Sequence, residues 1–98
     1  MKTIVLDCDK SLSTISGSDN GVSCARLQII PQIDRIKSNI VVKIPDYILF
    51  VGGSFMSGIY RELSKRFSRE EIRKYIKVES VDETVAKEFG EQWTINLH

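Results

Sequence analysis

Short apolar runs rich in β-branched residues recur along the chain and predict strands. The runs at residues 3–6, 39–44 and 76–81 each fit a strand, and the last of them alternates apolar and polar positions. A further apolar run at residues 47–51 predicts another strand, or the continuation of the preceding one past a bend, because Pro45 disfavours an unbroken central strand. About four strands are therefore expected.

Apolar positions at helical spacing predict helices between these strands. Residues 22–37 form the first helix, with a kink or a break near Pro31 because proline lacks a backbone N–H and clashes with the preceding turn. Residues 55–67 form the second helix, a capping-box pattern at residues 68–71 starts a short third helix, and residues 81–83 open the last one. The residues expected to face the core from the two longer helices are Phe55, Ile59, Leu63 and Phe67, then Val85, Phe89 and Trp93.

Polar segments that contain glycine are expected to connect these elements. Residues 10–21 are rich in Ser, Gly, Asp and Asn and predict a loop that ends in an Asn20-Gly21 turn. Residues 52–54 (Gly-Gly-Ser) predict the turn from a strand into the second helix. The order of elements predicts one α/β domain over residues 1–98, of α+β layered type, with helices packed on a mixed sheet of about four strands.

Composition narrows the class of protein. The chain has 98 residues, of which 42% are hydrophobic and 28% charged, as is typical of one globular domain. No apolar run approaches the roughly 18 residues of a membrane span, and the N-terminus lacks the pattern of a signal peptide. We therefore expect a cytoplasmic protein without a membrane partner.

The cysteine and histidine content gives no reason to expect a metal site. Cys8 and Cys24 are few and far apart, and His98 is the one histidine that could assist them. Two free, partly buried thiols are expected, one in a strand and one in a helix, with no bound metal and no cofactor.

Charge is distributed unevenly along the chain. Residues 60–77 hold seven basic and three acidic side chains, a balance of +4, and residues 78–98 hold one basic and five acidic side chains, a balance of −4. Aromatic residues lie within the basic stretch, which makes nucleic acid binding an alternative function, although Tyr60 and Phe67 also fit the apolar face of a helix. The basic residues of this stretch are Arg61, Lys65, Arg66, Arg69, Arg73, Lys74 and Lys77.

Two aspartates follow the first strand in the stretch IVLDCDKSL. Asp7 and Asp9 have the spacing of the nucleophile and the acid/base in haloacid dehalogenase-type phosphohydrolases, to which this stretch is similar. Such enzymes also need a hydroxyl after a second strand, a lysine and an acidic pair for magnesium, because these groups neutralise the transferring phosphoryl group. The later strands are not followed by such a set, so a small magnesium-dependent phosphohydrolase is the less favoured alternative.

The Gly52-Gly53-Ser54 turn is a second candidate site. Exposed N–H groups at a helix start can hold an anion, but this turn lacks the lysine and the length of a P-loop. Met56 occupies the place of the last glycine of a nucleophile elbow. We therefore favour a plain strand-to-helix turn in which Ser54 caps the helix.

Residues 17–90 resemble a STAS-like domain of unknown function, a group named for its similarity to sulfate-transporter and anti-sigma-factor-antagonist domains. Gly21 opens the first helix, and Ile29-Ile30-Pro31 matches a Leu-Leu-Pro element of the group. Residues 53–56 (GSFM) match its Ser-Ser-Phe-Leu element, and residues 60–63 (YREL) follow as a helix with an aromatic residue and a leucine.

The chain departs from this family pattern at the position that carries its regulation. In anti-sigma-factor antagonists a Ser or Thr at the strand-to-helix turn is phosphorylated, and here Gly53 occupies that position, with Ser54 one residue later. Ser57 and Gly58 replace acidic residues of the family, and Arg26 is displaced by one position from the arginine of its first helix. A phosphoryl switch is therefore not expected to be retained in its usual form.

The resemblance implies a non-enzymatic protein-interaction or regulatory module. Such domains dock a helix and its preceding turn on a partner protein, often an ATPase with a histidine-kinase-like fold. The corresponding region here is residues 52–57 and the helix that follows. A homodimer through an edge strand is a further arrangement that this fold class allows. The partner-binding or phosphorylation candidates are Gly52, Gly53, Ser54, Ser57, Arg61, Lys65 and Arg66.

Overall fold

Five short strands form two parallel sheets in the computed structural model, which describes residues 1–95. The larger sheet has the strand order β1-β3-β5, and the smaller sheet pairs β2 with β4. The strands are β1 Lys2–Val5, β2 Thr14–Ile15, β3 Ile40–Ile44, β4 Phe50–Val51 and β5 Ile76–Ser80. The chain is thus mixed α/β, as the sequence predicts.

Four α-helices connect or cover these strands. Helix α1 is followed directly by a π-helical segment, Ala25–Ile29, and a 3₁₀ turn, Ile30–Gln32. The α-helices are α1 Ser18–Cys24, α2 Gly53–Leu63, α3 Arg69–Tyr75 and α4 Glu83–Ile95. None of the helices within residues 1–95 is long and apolar enough to cross a membrane.

The sheet arrangement differs from the predicted mixed sheet of four strands. Each strand pair is joined by a helical crossover, so both members of a pair run in the same direction. The predicted strand at residues 47–51 shrinks to β4, because the N–H of Ile48 donates to the carbonyl of Pro45 (3.1 Å) in a turn. The shortened strand pairs with β2, at Thr14 and Ile15, instead of extending the larger sheet.

One face of the larger sheet holds the core. Ile4, Val42 and Val78 are paired neighbours on that face, and each is at most 1% exposed. On the opposite face Val5 and Lys77 are exposed and Lys43 pairs with Glu79. The predicted alternation of buried and exposed residues in the last strand is confirmed, and the helices pack against the buried face.

The predicted apolar stripe of the second helix faces the core, although the helix itself begins and ends earlier than predicted. Phe55, Ile59 and Leu63 are fully buried, and Phe67, four residues beyond the end of α2, is 8% exposed. The capping box is confirmed: the Ser68 hydroxyl accepts from the N–H of Glu71, and the Glu71 carboxylate accepts from the N–H of Ser68.

Helix α4 covers the outer edge of β5. The indole N–H of Trp93 donates to the carbonyl of Ile76 at 3.0 Å, and Gly90 lies over the carbonyl of Val78. These carbonyls point away from β3, so α4 occupies the side on which another strand would otherwise pair. Phe89 and Trp93 are each 2% exposed, as the helical spacing predicted.

The first helix starts four residues earlier than predicted. Asn20 and Gly21 lie inside α1 and form no turn, because Gly21 is needed where α1 touches α2. A Cβ atom at Gly21 would lie 2.1 Å from the carbonyl oxygen of Phe55, and one at Gly58 would lie 2.3 Å from that of Ser18. The two helices therefore contact each other backbone to backbone.

The predicted break of the first helix near Pro31 is confirmed, and Pro31 itself lies in the 3₁₀ turn that follows the break. The N–H of Ile30 donates to the carbonyl of Ala25, five residues back, in the π-helical segment. Ile33 has an extended backbone and bends follow it before β3, so the predicted helix up to residue 37 ends at Gln32.

Candidate functional site

The turn before α2 lies against the segment before α1. The N–H of Gly52 donates to the carbonyl of Ile15 at 2.9 Å, and the N–H of Gly17 donates to the Ser54 hydroxyl at 3.1 Å. The N-cap of α2 is Gly52, whose position has no side-chain cap. The prediction that Ser54 caps α2 is therefore wrong: Ser54 lies in the first helical turn, and its hydroxyl joins the two loops.

Exposed polar residues follow one stripe of α2 away from this turn. Gly53 and Ser54 are exposed at the helix start, and Ser57, Arg61 and Lys65 follow at intervals of three or four residues. Arg66 is also exposed, in the turn after the helix. Five of the seven candidates predicted from the sequence thus lie at the start of α2 or on it, with Gly52 half-buried at the start, and Lys65 and Arg66 lie in the turn that follows the helix.

An exposed apolar patch, which the sequence pattern does not predict, adjoins the turn. Leu49 and Phe50, just before the turn, are 60% and 58% exposed. Leu12, 43% exposed, is the neighbour of Ser13, whose carbonyl accepts from the N–H of Leu49 at 2.7 Å. Consecutive exposed apolar residues beside a polar helix stripe are typical of protein-binding surfaces.

A buried carboxylate lies beneath the basic end of the stripe. Glu62 has a side chain only 10% exposed, with Arg26 Nε 3.3 Å from Oε1 and Lys65 Nζ 3.1 Å from Oε2. The close contact with the Lys65 ammonium, together with the hydrogen bond from Arg26, holds the pKa of Glu62 below its usual range despite desolvation. Glu62 thus links α2 to the π-helical segment through Arg26, and it forms an ion pair with Lys65.

Protonation of Glu62 should make the protein less stable in acid. Because its pKa is lowered by folding, its contribution is present above the unfolded-state value of about 4.5 and is lost as the pH falls through the folded-state pKa. We therefore expect the wild type to have a higher free energy of unfolding than Glu62→Gln at pH 7. Urea unfolding between pH 7 and pH 3 should show this difference shrinking in that acid range. An advantage that stays constant down to pH 3 would contradict this assignment.

The two aspartates of the phosphohydrolase-like stretch have different surroundings. The Asp9 carboxylate accepts from the N–H (2.9 Å) and the hydroxyl (2.8 Å) of Ser11, and these bonds lower its pKa. The backbone of Asp7 forms two hydrogen bonds with the side-chain amide of Gln28: its N–H donates to Oε1, and its carbonyl accepts from Nε2. Asp9 thus forms a local turn of the Asx type, a structural role that its sequence spacing alone did not distinguish from catalysis.

The basic side chains of residues 60–77 are exposed, whereas the aromatic residues of this stretch are buried or half-buried. Phe67 is buried, and Tyr60 is half-buried with its ring 6.4 Å from that of Trp93 in an edge-to-face arrangement. Tyr75 is half-buried and lies under the ammonium group of Lys74. The predicted core role of Tyr60 and Phe67 is confirmed.

Both cysteines are free, half-buried thiols, as predicted, although Cys8 lies after β1 instead of inside a strand. Burial raises the pKa of Cys8, and it raises that of Cys24 to about 11. Within residues 1–95 no three His, Cys, Asp or Glu side chains lie close enough together to hold a metal ion, and His98 lies outside the described residues.

Comparisons with protein-family models, with curated proteins and with solved structures gave no match to this chain. The family resemblance therefore depends on the short motifs around Pro31 and residues 53–63.

Proposed function

We propose that this chain is a STAS-like, non-enzymatic protein-interaction module. It binds its partner through a docking surface formed by the apolar patch and the exposed stripe of α2. The observation that carries this proposal is the exposure of Leu49 and Phe50 immediately before the strand-to-helix turn. The residues of the docking surface are Leu12, Leu49, Phe50, Gly53, Ser54, Ser57 and Arg61.

The chemistry of the docking surface defines the kind of partner. Leu12, Leu49 and Phe50 require an apolar depression, since burying exposed apolar area supplies the main favourable term on association. Arg61, with Lys65 and Arg66 at the far end of the stripe, favours an acidic rim on the partner. A protein with an apolar groove bordered by carboxylates fits both requirements.

The family resemblance extends this proposal to an ATPase with a histidine-kinase-like fold as partner. Gly53, which occupies the phosphoacceptor position of the family, has no hydroxyl, so partner binding would not be switched at that residue. Phosphorylation of Ser54 would instead replace the hydroxyl that accepts from Gly17 by a dianion beside the start of α2. Regulation at Ser54 would therefore act on the contact between the two loops.

Charge and polarity changes on the docking surface should weaken partner binding strongly. We expect Phe50→Asp and Arg61→Glu each to reduce recovery of a specific partner from the native host by about tenfold or more, since a buried charge or a reversed charge costs at least 1.4 kcal/mol, or roughly tenfold. Quantitative affinity purification against the wild-type protein measures this loss.

Matched controls separate the docking surface from nonspecific adhesion. Leu27→Asp, at a side chain 72% exposed on the π-helical segment, is the control for Phe50→Asp. Lys87→Glu, at an exposed position of α4, is the control for Arg61→Glu. Both controls should retain the partner. Equal loss in all four variants, or no loss in Phe50→Asp and Arg61→Glu, would overturn the assignment of the surface.

A further inference from the structure

A groove of about 700 Å³ runs between α4 and the edge strand β5. Its floor is the outer backbone edge of β5 at Ile76 and Val78, beside Trp93, and the side chains of all three are turned into the core. One wall is the face of α4 that carries Gly90 and Ile95, and Ile95 is 71% exposed. The volume lies within the range of about 300–1,000 Å³ in which small-molecule sites fall, and Ile95 gives the groove an exposed apolar side chain, as such sites require.

Positive charge dominates the border of this groove. Arg73, Lys77 and Lys87 line it, and each is exposed. Of the two carboxylates that line it, Glu79 forms an ion pair with Lys43, which leaves Glu91 to oppose three cations. An uncharged or cationic ligand would not use this excess, whereas an anionic head group would.

We propose that this groove binds an amphipathic anion with a single aliphatic chain, such as a medium-chain carboxylate. The aliphatic chain lies along α4, against Gly90 and the exposed Ile95, and the carboxylate is held by Arg73 of α3 and Lys77 of β5. The groove is separate from the docking surface, and the proposal does not depend on the proposed function.

Gly90 makes the middle of the groove accessible. Gly90 lies in the interior of α4, where glycine is the poorest helix former after proline. Packing does not require a glycine there, because a Cβ atom would have no neighbour closer than 3.9 Å. The nearest atom is the carbonyl oxygen of Val78, so a side chain at residue 90 would project between α4 and β5. The glycine thus leaves open the space that the aliphatic chain occupies.

Intrinsic fluorescence gives a direct test, since Trp93 beside the floor is the sole tryptophan of the chain. Dodecanoate, kept below its critical micelle concentration, should change this fluorescence saturably, and calorimetry should give the same affinity. Dodecyltrimethylammonium, with the same chain and the opposite charge, should bind about tenfold more weakly or not at all.

Two variants test the placement of the ligand. Gly90→Leu fills the groove and should abolish dodecanoate binding while the far-UV spectrum and thermal unfolding are retained, because leucine is the better helix former. Arg73→Gln/Lys77→Gln should weaken binding several-fold, whereas the matched double variant Arg66→Gln/Lys74→Gln, which removes the same charge elsewhere, should not. The proposal is overturned if dodecanoate does not bind, if the cationic surfactant binds equally well, or if Gly90→Leu binds dodecanoate as the wild type does.

Discussion

Replacing Gly21 or Gly58 with alanine should destabilise the protein by about 2 kcal/mol or more, although alanine is the better helix former at both positions. The added methyl group would lie 2.1 Å from the carbonyl oxygen of Phe55 in the first case and 2.3 Å from that of Ser18 in the second. Both obstacles are backbone atoms, so no side-chain rotation relieves the clash and the helices must separate. The midpoint temperature of thermal unfolding, measured by circular dichroism, should fall by roughly 10 °C.

The double variant makes this prediction sharper. Once one methyl group has forced α1 and α2 apart, the second has less to displace, so Gly21→Ala/Gly58→Ala should cost clearly less than the sum of the single variants. Gly53→Ala is the matched control, since a Cβ atom there has no heavy atom within 4 Å, and its stability should change by no more than about 0.5 kcal/mol. Wild-type stability in Gly21→Ala, or strict additivity of the two substitutions, would contradict a backbone contact between the helices.

Periodicity predicted those parts of the fold in which local spacing decides burial. The stripe from Phe55 to Phe67 and the pair Phe89 and Trp93 are buried as expected, because residues three or four apart share one face of a helix wherever that helix is placed. The capping box at Ser68 was equally visible, since all its partners lie within one turn.

Features that depend on distant residues left no comparable pattern in the sequence. Gly21 follows Asn20, a pair that usually marks a turn, but the glycine serves a contact with Phe55, which lies 34 residues later. Strands β2 and β4 have two residues each, too few for an alternating pattern, and they exist because they pair with each other. Tertiary contacts override local preference in both cases.

The candidate site was predicted in part for the same reason. Residues 52–57 and the exposed α2 positions follow from the turn and the helical spacing, whereas the exposure of Leu49 and Phe50 could not be inferred from an apolar run that resembles a buried strand. The contact between Glu62 and Arg26 spans 36 residues and had no local signal. The pairing of Glu62 with Lys65, three residues later in the turn after α2, was the part accessible from spacing.

Replacing Trp93 with alanine should cost about 3–5 kcal/mol, which is a large share of the stability of a domain of this size. Trp93 is 2% exposed, touches the ring of Tyr60 and donates its indole N–H to the carbonyl of Ile76. Trp93→Phe retains most of the apolar volume but leaves that carbonyl unpaired, so we expect a smaller loss of about 1–3 kcal/mol. Urea unfolding followed by far-UV circular dichroism measures both, because the substitutions remove the fluorescent residue.

Trp93 should also protect the outer edge of β5 from pairing with another molecule. Trp93 holds α4 over backbone groups that would otherwise be free to pair with a strand of another molecule. The folded fraction of Trp93→Phe should therefore associate with itself as its concentration rises, in size-exclusion chromatography or light scattering. Ile95→Ala, on the same helix at a side chain 71% exposed, should stay at its wild-type size and stability. A monomeric Trp93→Phe variant would show that α4 remains over β5 through its other contacts, Phe89 above all, and that the indole hydrogen bond does not protect the edge.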